Sequence, residues 1–225
     1  MLILDFNLNG KYVVIVGGGS EAYRKILSFL DAGSKILVAS KKFLLDIHTL
    51  NQLQKIDLLQ TDIKDIPDFV NSLGNSPDIL VAVTNDSDLN FRLVKHAKDA
   101  GCLVYCVDNP EISDFMFPAL AKVGDVNIAV STSGKSPSMA RVLRQRIEKM
   151  VTPEDLLQIR LQDCIRPLLK QQISEQKIRK IVLSEILDDN HIKKLLKQSK
   201  FEAAKQFALD IAESFKEKNQ ALSEA

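Results

Sequence analysis

Residues Tyr12 to Val16 (YVVIV) form an almost unbroken apolar run. A run this short and this apolar predicts a strand covered on both faces, as in a parallel sheet. Ile26, Leu27, Phe29 and Leu30 then recur at helical spacing until Ala32-Gly33 ends the pattern. The same alternation continues with a strand over Lys35 to Ala39, a helix over Leu44 to Leu53, and strands at Leu58-Leu59 and Ile79 to Val83. A helix from Asn90 to Ala100 is closed by Gly101, and Leu103 to Val107 and Asn127 to Val130 read as two further strands. Strands separated by helical stretches imply βαβ units with right-handed crossovers, so the predicted class is α/β with a doubly wound parallel sheet.

Strand signals stop at Ser136. Ser136-Pro137 has the form of a helix start, with serine as N-cap and proline in the first turn. Thr152-Pro153-Glu154-Asp155 repeats it, with carboxylates facing the positive helix end. Helices are expected over 156–169, 175–187, 191–197 and 201–218, with Ile178, Ile181, Val182 and Ile186 at three- and four-residue spacing. The expected organisation is a dinucleotide domain over residues 1–112, a connecting dimerisation and substrate-binding segment over 113–150, and a helical C-terminal domain over 151–225. From Val151 onward there are thirteen basic and twelve acidic residues, a balance that favours a packing module and homodimer interface over a separate catalytic domain.

Composition narrows the class of function. The 225 residues are 45% hydrophobic and 26% charged, enough apolar material for a folded core. Thirty basic against 29 acidic residues leave a formal charge of +1, which argues against a nucleic-acid binder driven by bulk charge. No apolar run reaches the roughly 18 residues of a membrane span, and the N-terminus lacks the features of a signal peptide. A cytoplasmic protein is expected, with neither nucleic acid nor membrane as partner. Cys102, Cys106 and Cys164 are too few and too odd in number for a disulfide framework. Cys102 and Cys106 read as core thiols, and no set of residues has the spacing of a closed metal site.

The first motif with chemical content is Gly17-Gly18-Gly19-Ser20-Glu21-Ala22, directly after the first strand. It fits G-x-G-x-x-A: Gly17 for a tight turn, Gly19 for close approach of a pyrophosphate, Ala22 for close helix–strand packing. The helix N-terminus would offer its N–H groups to the phosphates. This predicts a Rossmann-like fold and a nicotinamide dinucleotide. Two details resist. The end of the second strand holds Ser40-Lys41-Lys42 where a ribose-binding carboxylate is expected, which leaves NAD and NADP both open. Glu21 would repel a pyrophosphate unless it points away.

Further along, Thr84 and Asn85 end one strand and Asp108 follows another, at the carboxyl edge where open α/β sheets bind ligands. Alternation places Cys102, Val104, Cys106 and Asp108 on one face. Asn90 reads as a packing or capping residue at the start of its helix. Ser131, Thr132, Ser133, Gly134, Lys135 and Ser136 join a strand to a helix, and the turn suits a carboxylate. Arg141, Arg144, Arg146 and Lys149 stand beyond it against a single Glu148. The GKS triplet is not a phosphate-binding Walker loop, because the leading glycine is missing.

In order and spacing, VVIVGGGSEAYRK, VAVTNDSDLN, VDNPEISDFMFPA and VSTSGKSPSMARVLRQRIE resemble the precorrin-2 dehydrogenases of siroheme biosynthesis over roughly residues 1–150. Some members of that family are also sirohydrochlorin ferrochelatases. The resemblance implies NAD-dependent oxidation of precorrin-2 to sirohydrochlorin, a homodimer, and Asp108 as the catalytic residue. It also implies that the Thr84-Asn85 turn lines the nicotinamide side, and that any iron insertion uses Fe2+ as a substrate and Asp108 again. The hydroxyl-rich turn with Arg141 and Arg144 would hold the carboxylates of the macrocycle. A dinucleotide-sensing regulatory module without turnover is the alternative reading.

Overall fold

A computed structural model describes residues 2–73 and 76–223, with side chains up to residue 215. The chain divides into two compact units, residues 1–117 and 118–225.

The first unit is the predicted parallel sheet. Strands β1 (Tyr12–Val16), β2 (Lys35–Ser40), β3 (Asp57–Gln60), β4 (Ile79–Ala82) and β5 (Leu103–Cys106) lie in the order β3-β2-β1-β4-β5, all parallel. Helices α1 (Ser20–Asp31), α2 (Leu45–Gln52), α3 (Ile66–Ser72) and α4 (Ser87–Asp99) connect them. Because side chains alternate along β1, Val13 and Ile15 pack with Ile26 and Phe29 of α1 and Ile47 and Leu50 of α2. Val14 and Val16 pack with Ile66 and Phe69 of α3 and Leu93, Val94 and Ala97 of α4. Both faces of the sheet are thus covered, which is why its strands are apolar throughout. The strand order reverses between β1 and β4, so the crevice outside their carboxyl ends is the place for a ligand.

Helix α4 starts three residues before the expected Asn90. The Asp86 carboxylate accepts the Leu89 N–H at 2.9 Å and sets the start. Asn90 consequently lies inside the helix, fully buried against the sheet. Helix α3 was not legible as a periodic pattern; Asp65 caps it and Pro67 stands in its first turn.

The second unit corrects one expected strand. Val126–Val130 (β7) is no part of the parallel sheet but pairs antiparallel with Ala119–Val123 (β6), which the apolar pattern missed. Gly124-Asp125 closes this hairpin, with Gly124 at a φ of +57°. Helix α5 (Pro137–Glu148) packs on the hairpin and starts at Ser136 as expected, with its hydroxyl accepting the Met139 N–H. Thr152 and Asp155 form a reciprocal capping box at the start of α6 (Pro153–Gln172). Helices α6, α7 (Gln176–Asp188), α8 (Asn190–Lys197) and α9 (Phe201–Ser223) share one core. Leu161, Ile165 and Leu169 supply one stripe, and Ala204, Ala208 and Ala212 let α9 approach closely. Of the periodic α7 residues, Val182 and Ile186 are buried, whereas Ile181 is half exposed.

Candidate dinucleotide and catalytic site

The glycine loop leaves β1 at the point of strand-order reversal. Gly17 has a φ of +139°, and a Cβ there would stand 2.6 Å from the Val83 carbonyl oxygen at the end of β4. A Cβ on Gly18 would meet the Lys42 carbonyl oxygen at 2.0 Å. Both glycines are therefore demanded by the approach of neighbouring backbone. Gly19 is different, since a Cβ there would meet nothing within 4 Å. Gly19 is the N-cap of α1, and no side chain caps that helix. Open space in front of uncapped N–H groups fits the pyrophosphate of a dinucleotide.

Glu21 does point away. Its carboxylate pairs with Arg24 and lies 3.3 Å from Lys25 Nζ, both on its own helix. Lys25 is nearly buried, with its ammonium 3.7 Å from the centroid of Phe117 and 4.9 Å from that of Tyr105. Burial lowers the Lys25 pKa, opposed by the charge and hydrogen bond of Glu21. The two cations thereby neutralise the carboxylate nearest the loop.

At the end of β2, Lys41 Nζ lies 2.8 Å from Asp62 Oδ1, and the Gln60 amide donates to the Lys41 carbonyl at 3.2 Å. Ser40 is half-buried against the glycine loop and Lys42 is exposed. The carboxylate missing after β2 thus stands beside it after β3. The register of β2 on β3, which pairs Ser40 with Gln60, brings it there.

Across the reversal point the ends of β4 and β5 are joined through Asn90. Its Oδ1 accepts the Thr84 N–H at 3.1 Å and lies 2.7 Å from the Thr84 hydroxyl oxygen. Its Nδ2 donates to the Thr84 carbonyl at 3.0 Å and to Asp108 Oδ2 at 3.3 Å. The Cys106 thiol donates to Asp108 Oδ1 at 3.0 Å. Burial raises the pKa of Asp108, but hydrogen bonds from Ser87, Cys106 and Asn90 outweigh it and hold the carboxyl below its ordinary value. Burial, with the adjacent Asp108 carboxylate, pushes the Cys106 thiol up to about 11. Asn85 is exposed at the same turn. The sequence reading placed Asp108 and Thr84 at this edge but did not include Asn90, Cys106 or Ser87 in the site. The two-residue alternation from Cys106 to Asp108 was the signal available for the thiol.

The hydroxyl-rich turn lies in the second unit. Ser133 and Gly134 adopt φ values of +52° and +79°. The Thr132 hydroxyl accepts the Ser136 N–H at 3.0 Å and the Ser131 hydroxyl accepts the Ser133 N–H at 3.2 Å. Lys135 and Arg141 are exposed, whereas Arg144 is largely buried and bonded to Glu148 at 2.5 Å. Arg144 therefore carries its own counter-ion.

Among the described residues, no group of three or more His, Cys, Asp or Glu side chains has the arrangement of a metal site. No described helix is long and apolar enough to cross a membrane.

Known proteins resemble this chain in sequence and in fold. A family model described as NAD(P)-binding matches residues 4–119, and one described as sirohaem biosynthesis protein, central, matches residues 124–150. The precorrin-2 dehydrogenase of Methanosarcina barkeri is 33% identical over 192 residues, covering 85% of this chain and 84% of that protein. A siroheme synthase of Neisseria meningitidis is 33% identical over 168 residues, covering 73% of this chain but only 34% of that longer protein. The solved structure of SirC, a precorrin-2 dehydrogenase, shares the fold, with a TM-score of 0.73 at 22% identity over 92% of this chain and 99% of that one. This chain, with its glycine loop after β1 and its aspartate after β5, belongs to the precorrin-2 dehydrogenase family.

Proposed function

We propose that the protein oxidises precorrin-2 to sirohydrochlorin with NAD+. The observation that carries this reading is the placement of Asp108. An ionised, fixed carboxylate stands at the same sheet edge as the open glycine loop, within a family of precorrin-2 dehydrogenases. The dinucleotide, when bound, accepts a hydride from a reduced carbon of the macrocycle. The chain's own residues do the rest. Gly17 to Ala22 hold the pyrophosphate against α1, Thr84 and Asn85 line the nicotinamide side, and Ser40 to Lys42 border the adenosine half. Asp108 accepts the proton that leaves the macrocycle, for which its ionised state is the competent one.

The turn Ser131 to Ser136, with Arg141 and Arg144, supplies hydroxyls, N–H groups and positive charge suited to a carboxylate-rich substrate. We place these residues as its grip, with Arg141 the stronger ionic contact because Arg144 is already paired. The segment 113–150 then serves dimerisation and substrate binding, in a cytoplasmic homodimer. Insertion of Fe2+ as a second substrate would fall to the same Asp108.

Purified protein given precorrin-2 and NAD+ without metal tests the reading. Sirohydrochlorin and NADH should appear together. Asp108→Ala should abolish turnover while NAD+ still binds, and near-normal turnover in that variant would remove the base assignment. Cofactor binding with no product from the unaltered protein would favour a sensing module.

A further inference from the structure

Asp108 follows β5 in a turn and is itself exposed, and the single bond from its own backbone N–H does not hold both oxygens of its carboxylate. Its neighbours do. The geometry points to Cys106 and Asn90 as positioning residues of Asp108, two buried donors from different elements that each hold one carboxylate oxygen. This rests on the reading of Asp108 as the base.

The orientation of Asn90 is dictated rather than free. The Thr84 N–H needs an acceptor, and only the amide oxygen of Asn90 can provide one, so the amide nitrogen must face the Thr84 carbonyl and Asp108. All of this occurs at a side chain with no solvent exposure, where an unmade hydrogen bond is costly. Cys106 is 1% exposed and points from β5 at the other oxygen. A carboxylate can only accept, so the thiol must be the donor, and burial keeps its proton in place.

Each carboxylate oxygen accepts one of these two buried donors. The Ser87 hydroxyl, in the first turn of α4, adds a third. These donors are neutral at the working pH, and Cys106 is the one titratable group among them. Of the nearby acids, Asp86 is turned to the Leu89 N–H of α4, and Asp114 to Lys98 and the Val104 N–H. Glu111 lies exposed in the 3-10 turn Pro110–Ile112. Among the described residues only neutral donors are found on the Asp108 carboxylate, and a paired cation would oppose the positive charge that hydride loss leaves on the macrocycle.

The test compares the pH profile of kcat/KM in the unaltered protein, Cys106→Val, Cys106→Ser and Asn90→Ala, alongside thermal stability and NAD+ affinity. Each donor favours the charged carboxylate, so its loss should move the acid limb up by roughly half to one pH unit. It should also lower kcat/KM roughly tenfold with NAD+ affinity unchanged. Cys106→Ser, which keeps a donor, should restore the limb. Should Asn90→Ala fail to fold, the valine and serine pair decides alone. An unmoved limb in folded Cys106→Val, with Asp108→Ala inactive, overturns the proposal. A second readout needs no turnover. The infrared S–H band of Cys106, found as the difference between the unaltered protein and Cys106→Ser, should rise in frequency in Asp108→Ala, and an unmoved band overturns the contact. Failure of the base reading looks different: turnover then survives Asp108→Ala while the band still moves.

Discussion

The ammonium of Lys41 lies 2.8 Å from the carboxylate of Asp62, so the first cation after β2 is paired with an acid that follows β3. Both side chains are solvent-facing, at 68% and 47% exposure, so the pair is worth only about 0.2–1 kcal/mol. Its consequence concerns cofactor choice more than stability. With Lys41 neutralised, Lys42 is the cation of the Ser40 to Lys42 turn that would meet a ribose 2′-phosphate in the proposed cofactor position.

Asp62→Asn should therefore raise affinity for NADP+ by roughly threefold at low salt and leave NAD+ affinity almost unchanged. Titration calorimetry with both dinucleotides checks this. A gain that persists at high salt would point to a cause other than charge.

The three loop glycines should separate by role. Gly17→Ala forces a Cβ toward the Val83 carbonyl at a φ of +139°, and should cost about 1–3 kcal/mol of stability. Gly19→Ala meets open space at a φ of −93° and should fold normally. Its methyl group would instead enter the space we propose for the pyrophosphate, so NAD+ affinity should fall roughly tenfold or more. Denaturant melts and binding curves on both variants make the comparison.

Stability should fall at alkaline pH through Cys106. Its thiol is raised from 9.0 to about 11 in the folded state, first by burial and then by Asp108. Between those values the unfolded chain loses the proton and the folded chain keeps it, so unfolding is increasingly favoured as pH rises above about 9. The full effect is about 2–3 kcal/mol. Urea melts at pH 8 and pH 10.5 should show a smaller alkaline loss in Cys106→Val than in the unaltered protein.

Thr152→Ala removes the hydroxyl that accepts the Asp155 N–H, and with it one half of the capping box. A loss of about 1 kcal/mol is expected, with NAD+ affinity unchanged. The hydrogen bonds from Thr152 also lower the Asp155 pKa, so the contribution is present near neutral pH and lost as pH falls through the folded-state value. Chemical denaturation at pH 7 and pH 3 reads both effects.

Most of the parallel sheet was legible because burial on both faces leaves short apolar runs with little ambiguity, as in β1 and β4. Helix α3 was harder to see, since seven residues hold too few turns to display a period. The β6–β7 hairpin was misassigned for a related reason. ALAKV carries lysine and alternates weakly, so its partner VNIAV looked like one more parallel strand.

By itself the sequence determined the class of fold, the glycine loop, the position of Asp108 after β5, and the membership that those motifs imply. These depend on local chemistry: backbone freedom at glycine, side-chain alternation along a strand, capping at helix starts. Only the tertiary structure decided which groups act on one another across chain separations. Asp62 reaches Lys41 because β3 is registered beside β2, and Glu21 is quenched by a lysine held between Tyr105 and Phe117. Asn90 links Thr84 to Asp108 because α4 packs between the ends of two strands. Such pairings are set by register and packing, which no single stretch of residues encodes.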